Sequence, residues 1–231
     1  MLNYLYKLII DDVTDICYGN CLNFFPRGSR VLDVGIGNGI MLEAYHRLIE
    51  SKNLDITGID INRQYLKHCR KMIHRYGLED SVRVHYAAVE SYVPPENEYF
   101  DYVLFSMSFM LFDDQHYVLE RIRPWLKRGG GVVFFQTMFK NHSLFLDIVK
   151  PRLKYVTTID FGRVTYEDDF YALLGRKDMT VTEDWLLKRE WFNGEYRLIV
   201  SAPENGNGRS AFNAPPAGNE CASRSDQARP R

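Results

Sequence analysis

Cysteine is scarce in this chain, and the scarcity excludes one class of fold. Four cysteines in 231 residues are too few for a small domain held together by disulfides. Cys17 and Cys21 stand four apart on a predicted helix, with no histidine or further cysteine nearby in sequence. We therefore predict small buried thiols rather than a metal site, and a reducing, cytoplasmic environment.

An excess of charge of one sign is also missing. The chain carries 29 lysines and arginines against 30 aspartates and glutamates, which gives a formal net charge of -1. Proteins that bind a phosphate backbone usually present a basic surface. This balance argues against nucleic acid as the partner.

Long apolar runs are absent as well. No stretch approaches the ~20 residues that cross a bilayer, so no transmembrane segment is predicted. The first ten residues, MLNYLYKLII, lack the cleavage site of a signal peptide. They fit an amphipathic helix that either packs on the domain, which is favoured, or touches a lipid surface, and both placements stay open.

What the chain does contain is a repeated alternation of apolar runs and segments with helical periodicity. Such alternation is typical of a parallel sheet covered on both faces. Two strand-like runs around Asn193-Gly194 predict a final antiparallel hairpin. The predicted fold class is α/β: a doubly wound, mainly parallel seven-stranded sheet with a C-terminal antiparallel β-hairpin and an N-terminal helix. Besides the hairpin, the predicted strands are 30–35, 54–61, 81–87, 100–106 and 131–137, and the predicted helices 2–25, 38–52, 62–77 and 114–127.

One domain is predicted over residues 1–202. Residues 1–28 form its N-terminal helix, and 138–177 form a longer excursion that covers the substrate. From residue 203 onward the chain is rich in Asn, Gly, Pro, Ala and Ser and poor in core-forming residues. Residues 203–231 are therefore predicted to be a disordered tail.

The most informative stretch is VLDVGIGNG, residues 31–39, in which three glycines alternate behind an apolar run. Bare backbone at this spacing lets the chain turn sharply, approach a ligand and begin a helix whose free N–H groups face that ligand. Asp60 ends the next strand, 21 residues past Gly39. A carboxylate there accepts hydrogen bonds from both hydroxyls of a ribose. The alternative for Asp60 is to cap the helix that follows.

Two cofactor classes compete for this loop. A dinucleotide site usually shows G-x-G-x-x-G, whereas here Asp33 is followed by Gly35, Gly37 and Gly39 at alternate positions. The charge of Asp33 repels a pyrophosphate and attracts an ammonium group, which favours a nucleoside cofactor with an amino-acid moiety. A purely structural turn residue is the other interpretation of Asp33.

In these residues the chain resembles the Rossmann-like, class I S-adenosylmethionine-dependent methyltransferases. VLDVGIGNG resembles their first motif, ITGIDIN the second, FDYVLFSMSFM the fourth, and LERIRPWLKRGGGVVFFQT the segment around the fifth strand. The resemblance covers 30–137 and extends through the hairpin to about residue 201. It implies S-adenosyl-L-methionine as the cofactor.

The resemblance also implies a role for each matching residue. The three glycines would pass beneath the cofactor and Asp33 would face its methionine end. Many members carry an acid for the adenine amino group where this chain has Ala88, so a neighbour would have to substitute. The remaining implied contacts are Asp60 to the ribose, Ile61 and Val89 or Glu90 to adenine, and Ser106 to the methionine amino group. For Glu90 a solvated loop charge is an equal alternative.

The methyl acceptor is expected beyond the ends of the fourth and fifth strands. Neither the proline-containing motif of nucleic-acid N-methylating enzymes nor the paired glutamates of protein arginine methyltransferases occurs in this chain. The apolar residues there suit a small lipophilic or aromatic molecule, although packing in the core explains them equally well. The predicted pocket residues are Met107, Phe109, Met138 and Phe139.

Methyl transfer needs a general base only if the acceptor keeps its proton. His142 and Tyr18 are the candidates for such a role, and for His142 an ordinary surface position is the alternative. Two other functions stay open: a protein that binds the cofactor but transfers another group or none, and an NAD-dependent oxidoreductase.

Overall fold

The computed structural model describes residues 18–95, 99–143, 162–189 and 194–204. Residues 18–24 are helical and precede the first strand. Two short 3₁₀ turns, Phe109–Leu111 and Arg123–Trp125, flank one of the helices. The other elements are β1 (Arg30–Val34), α1 (Ile40–Lys52), β2 (Asp55–Asp60), α2 (Arg63–Arg75), β3 (Val82–Tyr86), β4 (Phe100–Ser106), α3 (Gln115–Ile122), β5 (Leu126–Phe139), α4 (Glu167–Arg176), β6 (Met179–Arg189) and β7 (Gly194–Pro203).

The seven strands form one sheet in the order β3-β2-β1-β4-β5-β7-β6. β1 to β5 run parallel, and β7 pairs antiparallel with both β5 and β6. The predicted fold class is therefore confirmed. The chain order reverses between β1 and β4, and the carboxyl ends of the strands at such a switch point form the crevice in which α/β proteins bind ligands.

Alternate side chains of the sheet feed two separate cores. Along β5, Val133 and Phe135 enter a core with α1, α2 and residues 18–25, whereas Val132 and Phe134 enter a core with α3 and α4. A strand buried on both faces reads as a continuous apolar run, which explains why these strands could be recognised from the sequence.

Three boundaries differ from the prediction by several residues or change the assigned element. The helix predicted over 114–127 ends at Ile122, and β5 begins at Leu126 rather than at residue 131. Pro124 explains the early end, since proline lacks an N–H group and its ring clashes with the preceding helical turn. Pro203, predicted as the start of the tail, is instead the last residue of β7.

Other predictions lie partly outside the described residues. β6 and β7 form the predicted antiparallel strand pair. Gly194 is the first residue of β7 and pairs with Phe139 of β5, and residues 190–193 are not described. Residues 1–17 of the predicted N-terminal helix, 144–161 of the excursion and 205–231 of the tail also lie outside the described residues. Within the described ranges, no helix combines the length and the apolar character needed to cross a membrane.

Lys52, at the end of α1, anchors the helical residues 18–24. Its ammonium group donates to the carbonyl oxygens of Leu22, Asn23 and Phe25, at 2.9, 2.6 and 2.6 Å. The last carbonyls of a helix have no partner within the helix, so a cation there satisfies several of them at once. The contact fixes the end of this helix against α1 at the amino edge of the sheet, opposite the crevice.

We expect Lys52→Met to lower the free energy of unfolding by about 1–2 kcal/mol, because it keeps the apolar stem but removes three charge-assisted hydrogen bonds from a partly exposed site. Urea denaturation measures the change. Lys71→Met on the exposed side of α2 is the matched control and should be nearly neutral. Equal stability of the two variants would show that the anchor contributes nothing.

Candidate functional site

The glycine loop crosses the switch point between β1 and α1. Gly35, Gly37 and Gly39 have φ angles of 84, 69 and 73°, all in the left-handed region that favours glycine. The Gly35 amide donates to the carbonyl of Ile59 at 2.8 Å, which holds the start of the loop against β2. The loop therefore has three backbone positions in the left-handed region, and a glycine occupies each of them.

Asp60 holds the middle of this loop. Its Oδ2 accepts a hydrogen bond from the Gly37 amide at 2.9 Å, and its Oδ1 accepts one from the Asn62 amide at 2.7 Å. The cap of α2 is Asn62, whose side chain accepts from the amides of Gln64 and Tyr65. The alternative in which Asp60 caps the helix is therefore wrong. Each carboxylate oxygen has two lone pairs, so each can accept a further donor.

Asp33 is buried at the end of β1, beside Tyr18 of the helical residues 18–24. The Tyr18 hydroxyl donates to Asp33 Oδ2 at 3.0 Å, and both side chains are almost fully buried. Burial raises the pKa of Asp33 to about 7, opposed by the hydrogen bond from Tyr18 and reinforced by the charge of Asp60. Asp33 Oδ1 is buried and has no hydrogen-bond partner among the described residues. A buried carboxylate oxygen without a donor is costly, so it marks a place where a donor is expected to bind.

Asp33 and the loop line one cavity of about 170 Å³ at the carboxyl edge of β1 and β4. Asp60 adjoins it through its bond to Gly37. The lining residues are Tyr18, Asp33, Gly35, Ile36, Gly37, Asn38, Ile40, Met41 and Ser106. Another cavity, of about 190 Å³ at the opposite edge of the sheet near Arg123 and Gly130, contains none of the predicted site residues.

The predicted adenine-side residues have different surroundings. Ile61 follows Asp60 and is 69% exposed, so its side chain is accessible to a ligand. Val89 is 2% exposed and packs in the core with α3 and α4, so its side chain is not accessible. Glu90 is exposed. Val89 can therefore make the predicted adenine contact only through its backbone, whereas the side chain of Glu90 is accessible.

The carboxyl end of β4 borders the cavity. Ser106 lines it, and Met107 has a φ of 56°, a conformation that few residues other than glycine adopt. The Met107 amide donates to the carbonyl of Phe135 at 2.8 Å. Ser108, which the sequence analysis missed, donates through its hydroxyl to the carbonyl of Val34 and so ties the turn after β4 to β1. Ser108 and Val34 are 74 positions apart in the chain, so the sequence gives no sign of this hydrogen bond.

The predicted acceptor residues lie mostly in the core. Phe109 and Met138 are each 1% exposed, and the Phe109 ring contacts those of Phe105, Phe134 and Phe170. Phe139 is also buried, whereas Met107 is half-buried. In this conformation Phe109, Met138 and Phe139 serve packing, the alternative explanation of their apolar character.

The two proton-transfer candidates lie apart. Tyr18 has its proton directed at Asp33, and burial raises the pKa of Tyr18 well above its ordinary value. A hydroxyl in this state does not suit the role of a base at neutral pH. His142 lies after β5, stacks on the Tyr166 ring with centroids 3.8 Å apart, and has Nε2 3.8 Å from Asp169 Oδ2. His142 does not line the cavity.

Two further observations concern polar groups elsewhere. Gln136 on β5 is fully buried, and neither of its amide atoms has a hydrogen-bond partner in the described part of the chain. Over the same residues, no group of three or more His, Cys, Asp or Glu side chains is arranged to hold a metal ion.

Comparison with known proteins gives consistent results. Residues 31–130 match the family model described as a methyltransferase domain. The chain is 35% identical over 143 residues to a ubiquinone biosynthesis O-methyltransferase of Bordetella avium (strain 197N), covering 61% of this chain and 56% of that protein. It is 32% identical over 130 residues to the ubiquinone/menaquinone biosynthesis C-methyltransferase UbiE of Wigglesworthia glossinidia brevipalpis, covering 56% of this chain and 47% of that protein. The chain thus spans about half the length of these two relatives.

A solved structure shares the fold. The geranyl diphosphate C-methyltransferase of Streptomyces coelicolor A3(2), solved with Mg²⁺, geranyl diphosphate and S-adenosyl-L-homocysteine, superposes with a TM-score of 0.63 at 12% identity. The match covers 83% of this chain and 78% of that one. At this identity the likeness concerns the fold and not the substrate.

Proposed function

We propose that this chain transfers a methyl group from S-adenosyl-L-methionine to a small lipophilic or aromatic molecule. Through residues 31–130 it belongs to the Rossmann-like, class I S-adenosylmethionine-dependent methyltransferase family. One observation carries the proposal. The glycine loop, its carboxylate anchor Asp60 and the buried Asp33 meet at a single cavity on the switch point of the sheet.

The residues present fit this cofactor in two respects. The buried Asp33 Oδ1 lacks a hydrogen-bond donor among the described residues, and an ammonium group is a donor of the right charge. At Gly37 an added Cβ atom would meet nothing closer than the Gly35 carbonyl oxygen, at 4.0 Å, so the bare backbone leaves open space for a ligand. Asp60 would accept the ribose hydroxyls while keeping its bonds to the loop, and the exposed Ile61 would cover adenine.

When bound, S-adenosylmethionine supplies a methyl group on a positively charged sulfur that a nucleophile displaces in line. The chain's own contribution is to orient the two reactants and exclude water. Ser106 lines the cavity at the carboxyl end of β4, and Met107 follows it, on the side from which the acceptor would approach. The strained Met107 backbone, held by Phe135, is consistent with a turn whose shape is imposed by function.

The chemical class of the acceptor is supported by the relatives. Both are named for methyl transfer in the biosynthesis of quinones, one to oxygen and one to carbon. Quinols and other phenolic precursors of quinones are aromatic and lipophilic, so the names of these relatives support this class of acceptor. We therefore propose an aromatic small molecule, in the cytoplasm, where the buried Cys21 and Cys69 remain free thiols.

His142 is the proposed base if the acceptor is a phenol. Its ring lies after β5, stacked on Tyr166, and its Nε2 is 3.8 Å from Asp169 Oδ2, so these two residues hold its orientation. A quinol methylated at carbon would not require this residue in the same way. Replacing His142 by alanine, with the exposed His116→Ala on α3 as the control, tests the role once an acceptor is known.

The function is tested first by binding. Calorimetric titration with S-adenosylhomocysteine is expected to show one site per chain, and NAD⁺ is expected to show none. Tritium transfer from methyl-labelled S-adenosylmethionine is then measured with an alkyl catechol, an alkyl benzoquinol and vesicles of phosphatidylethanolamine as acceptors.

The outcomes separate the competing functions. Labelling of either ring compound above the vesicle background supports the proposal. Binding of S-adenosylhomocysteine without transfer to any acceptor would favour a cofactor-binding protein that transfers another group or none. Binding of NAD⁺ in place of S-adenosylhomocysteine would refute the proposal outright.

A further inference from the structure

The Tyr18–Asp33 pair is built in a way that the cofactor loop alone does not require. The two residues are 15 positions apart, on different elements, and their side chains meet through a 3.0 Å hydrogen bond at 4% and 1% exposure. Both line the cavity that contains the glycine loop. Tyr18 occupies one carboxylate oxygen of Asp33, and the other has no partner among the described residues.

We propose that Tyr18 is a positioning residue that acts through Asp33. Its hydroxyl takes Oδ2, leaves Oδ1 as the acceptor for the ammonium group of the cofactor, and thereby sets the pH range over which the cofactor binds. The inference rests on the proposed function, because it requires a cofactor with an amino-acid moiety.

Burial, and to a lesser degree the negative charge of Asp60, make ionisation of Asp33 unfavourable in the free protein. Asp60 faces it from β2, Cys69 lies nearby on α2, and Cys21 adjoins Tyr18 on the same helix. Burial raises the pKa of Cys69 to about 12, so that thiol stays neutral. Among the residues that the structure describes, no positively charged group influences the pKa of Asp33. Within the described ranges, the only favourable contact to the carboxylate is therefore the hydroxyl of Tyr18.

The sign of the pH dependence follows. Burial sets the pKa of Asp33 to about 7 in the free protein, and an ammonium group at Oδ1 lowers it in the complex. Binding therefore releases a proton at acidic pH. Affinity should rise by up to about tenfold per pH unit as the pH approaches 7 and then level off, because the complex favours the ionised form.

Tyr18→Phe keeps the buried ring and removes only the donor. Since the Tyr18 hydrogen bond lowers the pKa of Asp33, its loss raises that pKa and moves the midpoint of the binding curve to higher pH, by about one pH unit. Relative to the unmodified protein, affinity for S-adenosylhomocysteine is expected to fall roughly tenfold at pH 6.5 and less than about twofold at pH 8.5.

The experiment is calorimetric titration with S-adenosylhomocysteine from pH 5.5 to 8.5, on the full chain and on three variants. Tyr18→Phe should shift the curve, and Asp33→Asn should flatten it. Tyr45→Phe is the matched control, because the Tyr45 ring neighbours that of Tyr18 at 6.4 Å and no hydrogen bond joins it to Asp33. An S-adenosylhomocysteine analogue without its α-amino group should bind each protein with little pH dependence. Circular dichroism melts confirm that each variant is folded.

The results distinguish this inference from the proposed function. Absence of binding to the unmodified protein at every pH would refute the proposed function itself. If the unmodified protein binds but its affinity does not vary with pH, Asp33 is not the titrating group and the inference is wrong. An equal loss of affinity at all pH values in Tyr18→Phe would show that the tyrosine has only a structural role.

Discussion

Gly39→Ala should abolish measurable binding of S-adenosylhomocysteine and lower the free energy of unfolding by about 2–4 kcal/mol. Gly39 precedes α1 with a φ of 73°, so alanine there carries a backbone penalty. The added Cβ would also lie 2.7 Å from Cys69 Sγ and 2.9 Å from Cys69 Cα. The second contact involves backbone of α2, which cannot move aside as a flexible side chain would. Loop and helix must therefore separate, and the loop would leave its place beneath the cofactor.

Gly77→Ala provides the matched control for this effect. Gly77 has a φ of 66°, and an added Cβ would meet nothing within 4 Å. The variant therefore carries the left-handed backbone penalty alone, about 1 kcal/mol, and should bind the cofactor normally. Chemical denaturation and calorimetry on both proteins separate strain from steric clash. If Gly39→Ala matched Gly77→Ala in stability and affinity, α1 and α2 would not be in the close contact described.

The sheet could be predicted from the sequence because its signal is local. Each parallel strand is buried on both faces and reads as a continuous apolar run, and the glycine loop and Asp60 follow β1 and β2 directly. Two residues at the carboxyl ends of neighbouring parallel strands must lie close together, whatever the rest of the fold does. The early end of α3 was also within reach, since Pro124 is visible in the sequence.

The pairings between distant elements could not be predicted in this way. Tyr18 reaches Asp33 only because Lys52 and the core fix the helical residues 18–24 over the end of β1. No sequence pattern encodes that docking. The same limit applies to Phe109: aromatic residues suit an acceptor pocket and a core equally well, and only the surrounding rings show which of the two this residue joins.

Asp60 holds the Gly37 amide of the loop and is also the proposed acceptor for the ribose hydroxyls, so its replacement tests both roles. We expect Asp60→Ala to weaken S-adenosylhomocysteine binding by about 1–3 kcal/mol, which is on the order of 10- to 100-fold, because it removes charge-assisted hydrogen bonds to the ribose. The variant also frees the Gly37 amide, so part of the loss could come from the loop. Titration with the 2′-deoxy analogue separates the two contributions. The unmodified protein should discriminate between the two ligands, and Asp60→Ala should bind them alike.

Asp55→Ala is the control at the other end of the same strand. Its carboxylate pairs with Arg30 at 3.2 Å and Arg83 at 2.6 Å, at the amino edge of the sheet and away from the cavity. These partly exposed ion pairs contribute at most about 1 kcal/mol to stability, and cofactor affinity should not change. A ribose contact at Asp60 requires that the two aspartates of β2 differ in this way. If the Asp60→Ala protein still preferred S-adenosylhomocysteine to its 2′-deoxy analogue, the carboxylate would serve only to hold Gly37, and the ribose would have to be bound elsewhere.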